Sequence, residues 1–364
     1  MSLQPPHKPQ SFQLPDLFSA ISTLELRTNK HCTFATQGIE RWTEENDVLT
    51  EVELRGLSVK KIGLLAALCF PTCDGPQLRQ LAKAATVLIY SNTRTFSDPV
   101  ETESLWRTAD DLELDGFELL NLHPLLRQLR LSSTSHGFLA SQSWKDRFSD
   151  SVKRHFNARE QTSARSSIPT LNEYSELRKD LYGENIIFLL AELHEAFIFP
   201  KDDEDRRTRL ITLKELAFEV IALSLDVLAY QQMEKNERSR PFNIITVLMQ
   251  HQGLSLQGAV NVAGNKIRSA FTSFTAAEAS IFQDSPQSKP SSLTSTLLEW
   301  LGRSSTIPVA NDFVQENSEN DAIKRYIQAL KDCIVGSLNW AYETEMFFGG
   351  KGAEVRSFGW VFTS

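Results

Sequence analysis

From Leu213 to Tyr230 the chain carries apolar residues on most faces of a helix rather than along one stripe, and Ile186-Ile187-Phe188-Leu189-Leu190-Ala191 does the same. A helix that is apolar nearly all round has to be enclosed, and neither stretch reaches the ~18 apolar residues that would let lipid do the enclosing. Other helices must do it, which calls for a large bundle. Apolar residues recur at a spacing of three to four over 60–70, 78–90, 117–131, 184–198, 209–233, 243–250, 257–271 and 321–348, a helical period. Alternation of the kind that marks strands is nearly absent. The expectation is an all-α fold of roughly ten helices or more.

Turn signals divide the bundle. Pro71 and Pro76 separate two helices, Ile168-Pro169-Thr170 opens another, and Gly253-Leu254-Ser255 punctuates the later part. Pro200 and the charged run Lys201 to Arg207 read as a solvated loop, and the Ser- and Pro-rich 284–298 as a mobile surface loop. With 364 residues and no interior linker before that loop, residues 1–364 are expected to form a single domain.

Charge and motif content exclude several function classes. There are 46 acidic against 38 basic residues, net −8, and no long Lys/Arg run, so no nucleic-acid surface is expected. Of Cys32, Cys69, Cys73 and Cys333, the close pair Cys69 and Cys73 has no His near it in sequence, which disfavours zinc, and buried reduced thiols fit a cytoplasmic protein. Met1 to Gln10 is polar and Pro-rich, unlike a signal peptide. No H-x-x-x-H pair, G-x-S-x-G elbow or phosphate-cradling glycine loop occurs.

Five segments carry a resemblance. They are Phe12-Gln13-Leu14-Pro15-Asp16-Leu17-Phe18 with Trp42 after it, and Leu65 to Pro71 followed by Gln77-Leu78-Arg79. Then come Ile168-Pro169-Thr170-Leu171-Asn172-Glu173-Tyr174 running into Leu177 to Gly183, and Asn243 to Met249 with Gly253 to Gln257. Last is Gly336 to Trp340 with Phe347-Phe348-Gly349. In this order they resemble the bacterial and fungal class I terpene cyclases, over about residues 12 to 356. The resemblance implies a class I terpene synthase-like α-bundle with a central cavity.

The same resemblance implies that Mg2+ ions are held on a substrate diphosphate by a D-D-x-x-D helix and an N-D-x-x-S-x-x-x-E helix, hard cations taking oxygen ligands. Here the first motif falls on Ser91-Asn92-Thr93-Arg94-Thr95, and no Asp or Glu lies between Asp74 and Asp98. The second falls on Leu225 to Met233, where Asp226 survives while the Asn, Ser and Glu ligands correspond to Leu225, Ala229 and Met233. The diphosphate-sensing Arg corresponds to Lys179 and the closing R-Y pair to Met346-Phe347. Asp110 to Asp115 is acidic but lies too late for the first motif and reads as a solvated loop or helix start. Asn311-Asp312 with Glu316, Ser318 and Glu319 is a weaker imitation.

These losses point to a divergent member without metal ligands or cofactor, in which the cavity is kept. The reaction expected is a metal-independent ring closure or rearrangement of a neutral, oxidised terpenoid, most economically an intramolecular Diels–Alder cyclisation, with proximity supplying much of the rate. Arg94, Asn92, Lys179 and Tyr230 are the expected catalytic donors to a substrate carbonyl. Tyr90, Ser91, Tyr182, Gly183, Leu225, Asp226, Ala229, Met233, Trp340 and Phe347 are the expected substrate contacts. Two other functions compete: a non-catalytic binding or scaffold protein, and an Mg2+-dependent sesqui- or diterpene cyclase with relocated ligands. The expected partner is a small-molecule terpenoid, with a homodimer as an option for assembly and no membrane span.

Overall fold

The computed structural model describes residues 11–45, 49–93, 142–165, 167–201, 203–234, 242–282 and 310–362. Arg94, Asp110 to Asp115, the 117–131 period and the 284–298 loop lie outside the described residues. The described residues form an α-helical bundle with one two-stranded pair. Its described elements run β1 (Ser11–Gln13), α1 (Leu17–Ala20), α2 (Cys32–Glu44), α3 (Glu51–Ser58), α4 (Ile62–Cys69) and α5 (Gly75–Thr93). They continue as α6 (Gln142–Ala164), α7 (Leu171–Leu181), α8 (Glu184–His194), α9 (Glu204–Glu234), α10 (Ile244–Gln252) and α11 (Leu256–Ile281). The C-terminal part is α12 (Ala310–Glu343), α13 (Glu345–Phe348), α14 (Gly352–Phe358) and β2 (Trp360–Phe362).

The all-round apolar stretch from Leu213 becomes the middle of α9, and it is enclosed as its composition requires. Leu210, Leu213, Ala217, Val220, Ala222, Val227 and Leu228 are all buried, with α11 and α12 packed along the helix. Each large apolar side chain so enclosed contributes about 1.5–3 kcal/mol. On the other flank α4 lies between α2 and α12. Gly336 makes that approach close enough, because a Cβ there would stand 2.7 Å from the Leu68 carbonyl carbon and oxygen. No described helix is long and apolar enough to cross a membrane.

Local chemistry sets the helix starts. Thr50 and Thr170 open α3 and α7 through capping boxes, in which Glu53 and Glu173 reach back to accept from the Thr backbone N–H at 2.8 and 2.7 Å. Asn243 caps α10 by accepting from Ile245 N at 2.9 Å, and Gly253 closes that helix in the left-handed region, φ 63°. Ser255 then caps α11.

Four expectations change against the structure, the first being the charged run Lys201 to Arg207, whose residues from Glu204 on form the first turn of α9 rather than a loop. The 184–198 period overshoots its helix: α8 stops at His194, Ala196 turns left-handed at φ 49°, and Phe197 then stacks on Tyr326 with centroids 4.2 Å apart. Its apolar residues serve a non-helical segment. The 321–348 period covers two helices, since Thr344 ends one and caps the next by accepting from Met346 N at 3.3 Å. Finally, the near absence of alternation conceals one antiparallel strand pair, β1 with β2, in which Phe12 faces Val361. Gln257 holds β1 to α11, accepting from Gln13 N at 2.8 Å and donating to Gln13 O at 3.0 Å.

Candidate functional site

The polar residues that converge inside the bundle do so on Asp226, in the middle of α9. Tyr174, Arg178 and Tyr182 follow one another at intervals of four, so they share a face of α7 and its C-terminal cap. All three reach the same carboxylate. Tyr174 Oη donates to Oδ2 at 2.5 Å, Tyr182 Oη donates to Oδ1 at 3.2 Å, and Arg178 Nη1 stands 2.7 Å from Oδ1 as an ion pair. The amide of Ile244 donates to Oδ2 at 2.9 Å, and Asn243 Nδ2 donates to the Asp226 carbonyl at 2.8 Å. Arg178 also donates to Ala222 O through Nη2, and its guanidinium lies 3.8 Å from the centroid of the Tyr182 ring.

The electrostatics follow from burial. Asp226 is 0% and Arg178 4% exposed. Burial pushes the Asp226 carboxyl up, while Arg178, Tyr174, the Ile244 amide and Tyr182 pull it down. For Arg178 burial lowers and Asp226 raises, and the outcome is a raised guanidinium. The two shifts pull the pair in different directions; with three hydrogen-bond donors and the Arg178 guanidinium against two carboxylate oxygens, the charged pair is the state the geometry favours. Burial pushes the Tyr182 phenol up to about 12, so it remains a donor.

The other expected site residues are placed differently. Lys179, one residue past Arg178, turns outward and pairs with Glu215 Oε1 at 3.4 Å, both side chains being more than a third exposed. Lys179 and Asp226 are therefore held by different partners. Tyr230 is buried, edge-on to Phe12 with centroids 5.8 Å apart, and its hydroxyl donates to Met249 Sδ at 3.8 Å. Trp340 donates to Lys60 O at 2.7 Å and meets Phe347 edge-on, which anchors α12 and α13 to the α3–α4 turn. Ala229 is buried, and Leu225 borders a pocket of about 10 Å³ with Ile21, Ser224, Ile334 and Leu338, room for one water at most. Gly183 forms the α7–α8 break at φ 65°. Tyr90, Ser91, Asn92 and Met233 sit on helices, but their side chains, like Arg94, lie outside the described residues.

Sequence reading missed Arg178 and Tyr174. The signal was present: Tyr174, Arg178 and Tyr182 at i, i+4 and i+8 share a face that Lys179 does not.

The helix counterpart to N-D-x-x-S-x-x-x-E does not fit Mg2+. Leu225 and Ala229 have no side-chain oxygen, and the Asp226 oxygens are already filled by donors. Among the described residues no three His, Cys, Asp or Glu side chains gather as a metal site.

The fold is that of solved terpene synthases. A hedycaryol synthase structure in complex with HEPES superposes with TM-score 0.66 at 18% identity, covering 90% of this chain and 98% of that one. An α-eudesmol synthase superposes at 0.64, 17% identical, over 87% and 96%. The family model "Terpene synthase family 2, C-terminal metal binding" matches residues 118–273. Sesquiterpene synthase Agr1 of Cyclocybe aegerita is 26% identical over 353 residues, 94% of this chain and 90% of that protein. Alpha-muurolene synthase of Coprinopsis cinerea is 24% identical over 380 residues, 98% and 78% of the two chains. The chain has the fold of these synthases and is similar over nearly its whole length to proteins named sesquiterpene synthase and alpha-muurolene synthase.

These relatives overturn the expected metal-independent pericyclic reaction on a neutral terpenoid. Proteins similar over nearly the whole chain are named sesquiterpene synthases or alpha-muurolene synthase, and the solved neighbours are an α-eudesmol synthase and a hedycaryol synthase. Loss of recognisable ligands at the counterpart positions was the sole ground for a change of reaction, and it does not outweigh a whole-chain likeness to cyclases.

Proposed function

We propose that the chain is a terpene cyclase that takes a prenyl diphosphate of sesquiterpene length. The observation that carries this is whole-chain similarity to proteins named sesquiterpene synthases, joined to the class I bundle. The form of the reaction that fits the residues is the one with relocated ligands. Leu225, Asp226 and Ala229 on α9 do not fit a hard cation, so no step is assigned through one there.

What this chain's own residues supply is a scaffold for folding an apolar chain. Trp340 and Phe347 meet edge-on, Phe12 packs on Tyr230, and Leu225 and Ala229 replace polar groups on α9, which makes that face of the helix apolar. Apolar walls exclude water from a reactive carbocation and hold the chain in a compact conformer, which raises the rate of ring closure. Incubating the full chain with farnesyl diphosphate and Mg2+, followed by gas chromatography of the extract, tests the proposal. Cyclic hydrocarbon or alcohol is expected, and excess EDTA should stop its formation. Unchanged farnesyl, geranyl and geranylgeranyl diphosphates at all Mg2+ concentrations would sink it.

A further inference from the structure

We infer that Asp226 is the counter-ion of a buried clamp that positions the α7–α8 break, and that it ligates no cation. An ionised carboxylate offers about four lone-pair sites; here Tyr174 Oη, Tyr182 Oη and the Ile244 amide take three by hydrogen bonds, and the Arg178 guanidinium stands against Oδ1 as an ion pair. A cation approaching Oδ1 would have to displace a guanidinium 2.7 Å away, at a residue with 0% exposure. The neighbours on the same face, Leu225 and Ala229, offer no oxygen to complete a shell.

The clamp has a definite output. Tyr182, whose ring lies under the Arg178 guanidinium, is the cap of α7, and the next residue is Gly183 at φ 65°. A Cβ at Gly183 would stand 3.2 Å from Leu88 of α5, so the break is packed on the helix that runs on to Ser91 and Asn92. Asp226 thereby joins four elements: α7, the α7–α8 break, α9 itself and the start of α10. Fixing one carboxylate sets where the break meets α5. The inference holds whether or not a prenyl diphosphate is the substrate.

The test uses the full chain, Mn2+ as the probe and inorganic pyrophosphate as the anion, with free Mn2+ read by electron paramagnetic resonance. Asp226→Asn should leave the Mn2+ titration within about twofold of the unsubstituted chain, as expected of a residue outside any cation shell. In the same variant, amide exchange at 182–187 and 244–247 should speed about tenfold or more while α2 and α12 keep their rates, the mark of local opening. Tyr174→Phe and Tyr182→Phe each remove one bond to the carboxylate and keep the ion pair, so they carry the test if Asp226→Asn does not fold. For them a smaller acceleration, confined to the same amides, is expected. Unchanged exchange at the break, or an Mn2+ affinity reduced more than about tenfold, overturns the inference. Turnover plays no part in either readout, so failure here is separable from failure of the cyclase proposal.

Discussion

Arg178 Nη1 and Asp226 Oδ1 face each other at 2.7 Å in the interior, joining α7 to α9 across 48 residues of sequence (226 − 178). Removing one member of such a pair strands the other charge without water. Arg178→Met should therefore lower the unfolding free energy by about 3–5 kcal/mol, read from urea titrations followed by circular dichroism. The double variant Arg178→Met with Asp226→Leu should lose less than the sum of the two single losses, because no orphaned charge remains. Strict additivity would show that the pair is not coupled in solution.

His155 sets an acid limit on stability. Its ring is buried against α7, where Nδ1 donates to Asp180 O at 2.9 Å. Burial holds the imidazole down to about 4 from an ordinary 6.5, with the Asp180 carbonyl opposing and Arg159 assisting. A depressed folded-state value means that stability is fully present above the unfolded value and is lost as pH falls from about 6.5 toward about 4. The loss should amount to about 3 kcal/mol. Urea midpoints measured from pH 7.5 down to 4 should fall across this window in the parent chain, and the slope should flatten in His155→Gln.

Gly336 tests how closely α12 lies on α4. A methyl group there would stand 2.7 Å from the Leu68 backbone, which cannot swing away as a side chain end could. Gly336→Ala should destabilise the chain by about 1–3 kcal/mol or more despite the better helix propensity of Ala. A neutral or stabilising result in urea unfolding would mean that the two helices are further apart than described.

The helical period found α4, α5 and α8 to α12 because each presents an apolar face to the bundle. It missed α6, whose sequence is dominated by polar and charged residues; among its described apolar residues Phe148, Val152 and Ala158 are buried. It also missed α3, which is short and rests on the Thr50–Glu53 capping box. The strand pair was illegible for a different reason. Three residues are too few to show alternation, and β1 finds its partner, β2, at the opposite end of the chain.

At the site, Asp226 was legible as the one survivor of its motif, but its role was not. Spacing to the family pattern selected Lys179 as the cationic residue, whereas burial selects its neighbour Arg178. That difference of one residue is a rotation of about 100° around a helix, enough to send one side chain to Glu215 at the surface and the other into the core. Leu225 and Ala229, at the counterparts of two ligands, carry no side-chain oxygen, yet that did not license the change of reaction built on it.

The measurement that bears most directly on the cyclase proposal is product analysis of the full chain with farnesyl diphosphate and Mg2+, run beside the same chain in excess EDTA. The account predicts one or more cyclic sesquiterpene products that appear with Mg2+ and vanish with EDTA, although Leu225 and Ala229 carry no oxygen for a cation and the Asp226 carboxylate is held by other partners. Farnesyl diphosphate recovered intact from a folded chain, with its two shorter and longer homologues equally untouched, would contradict it.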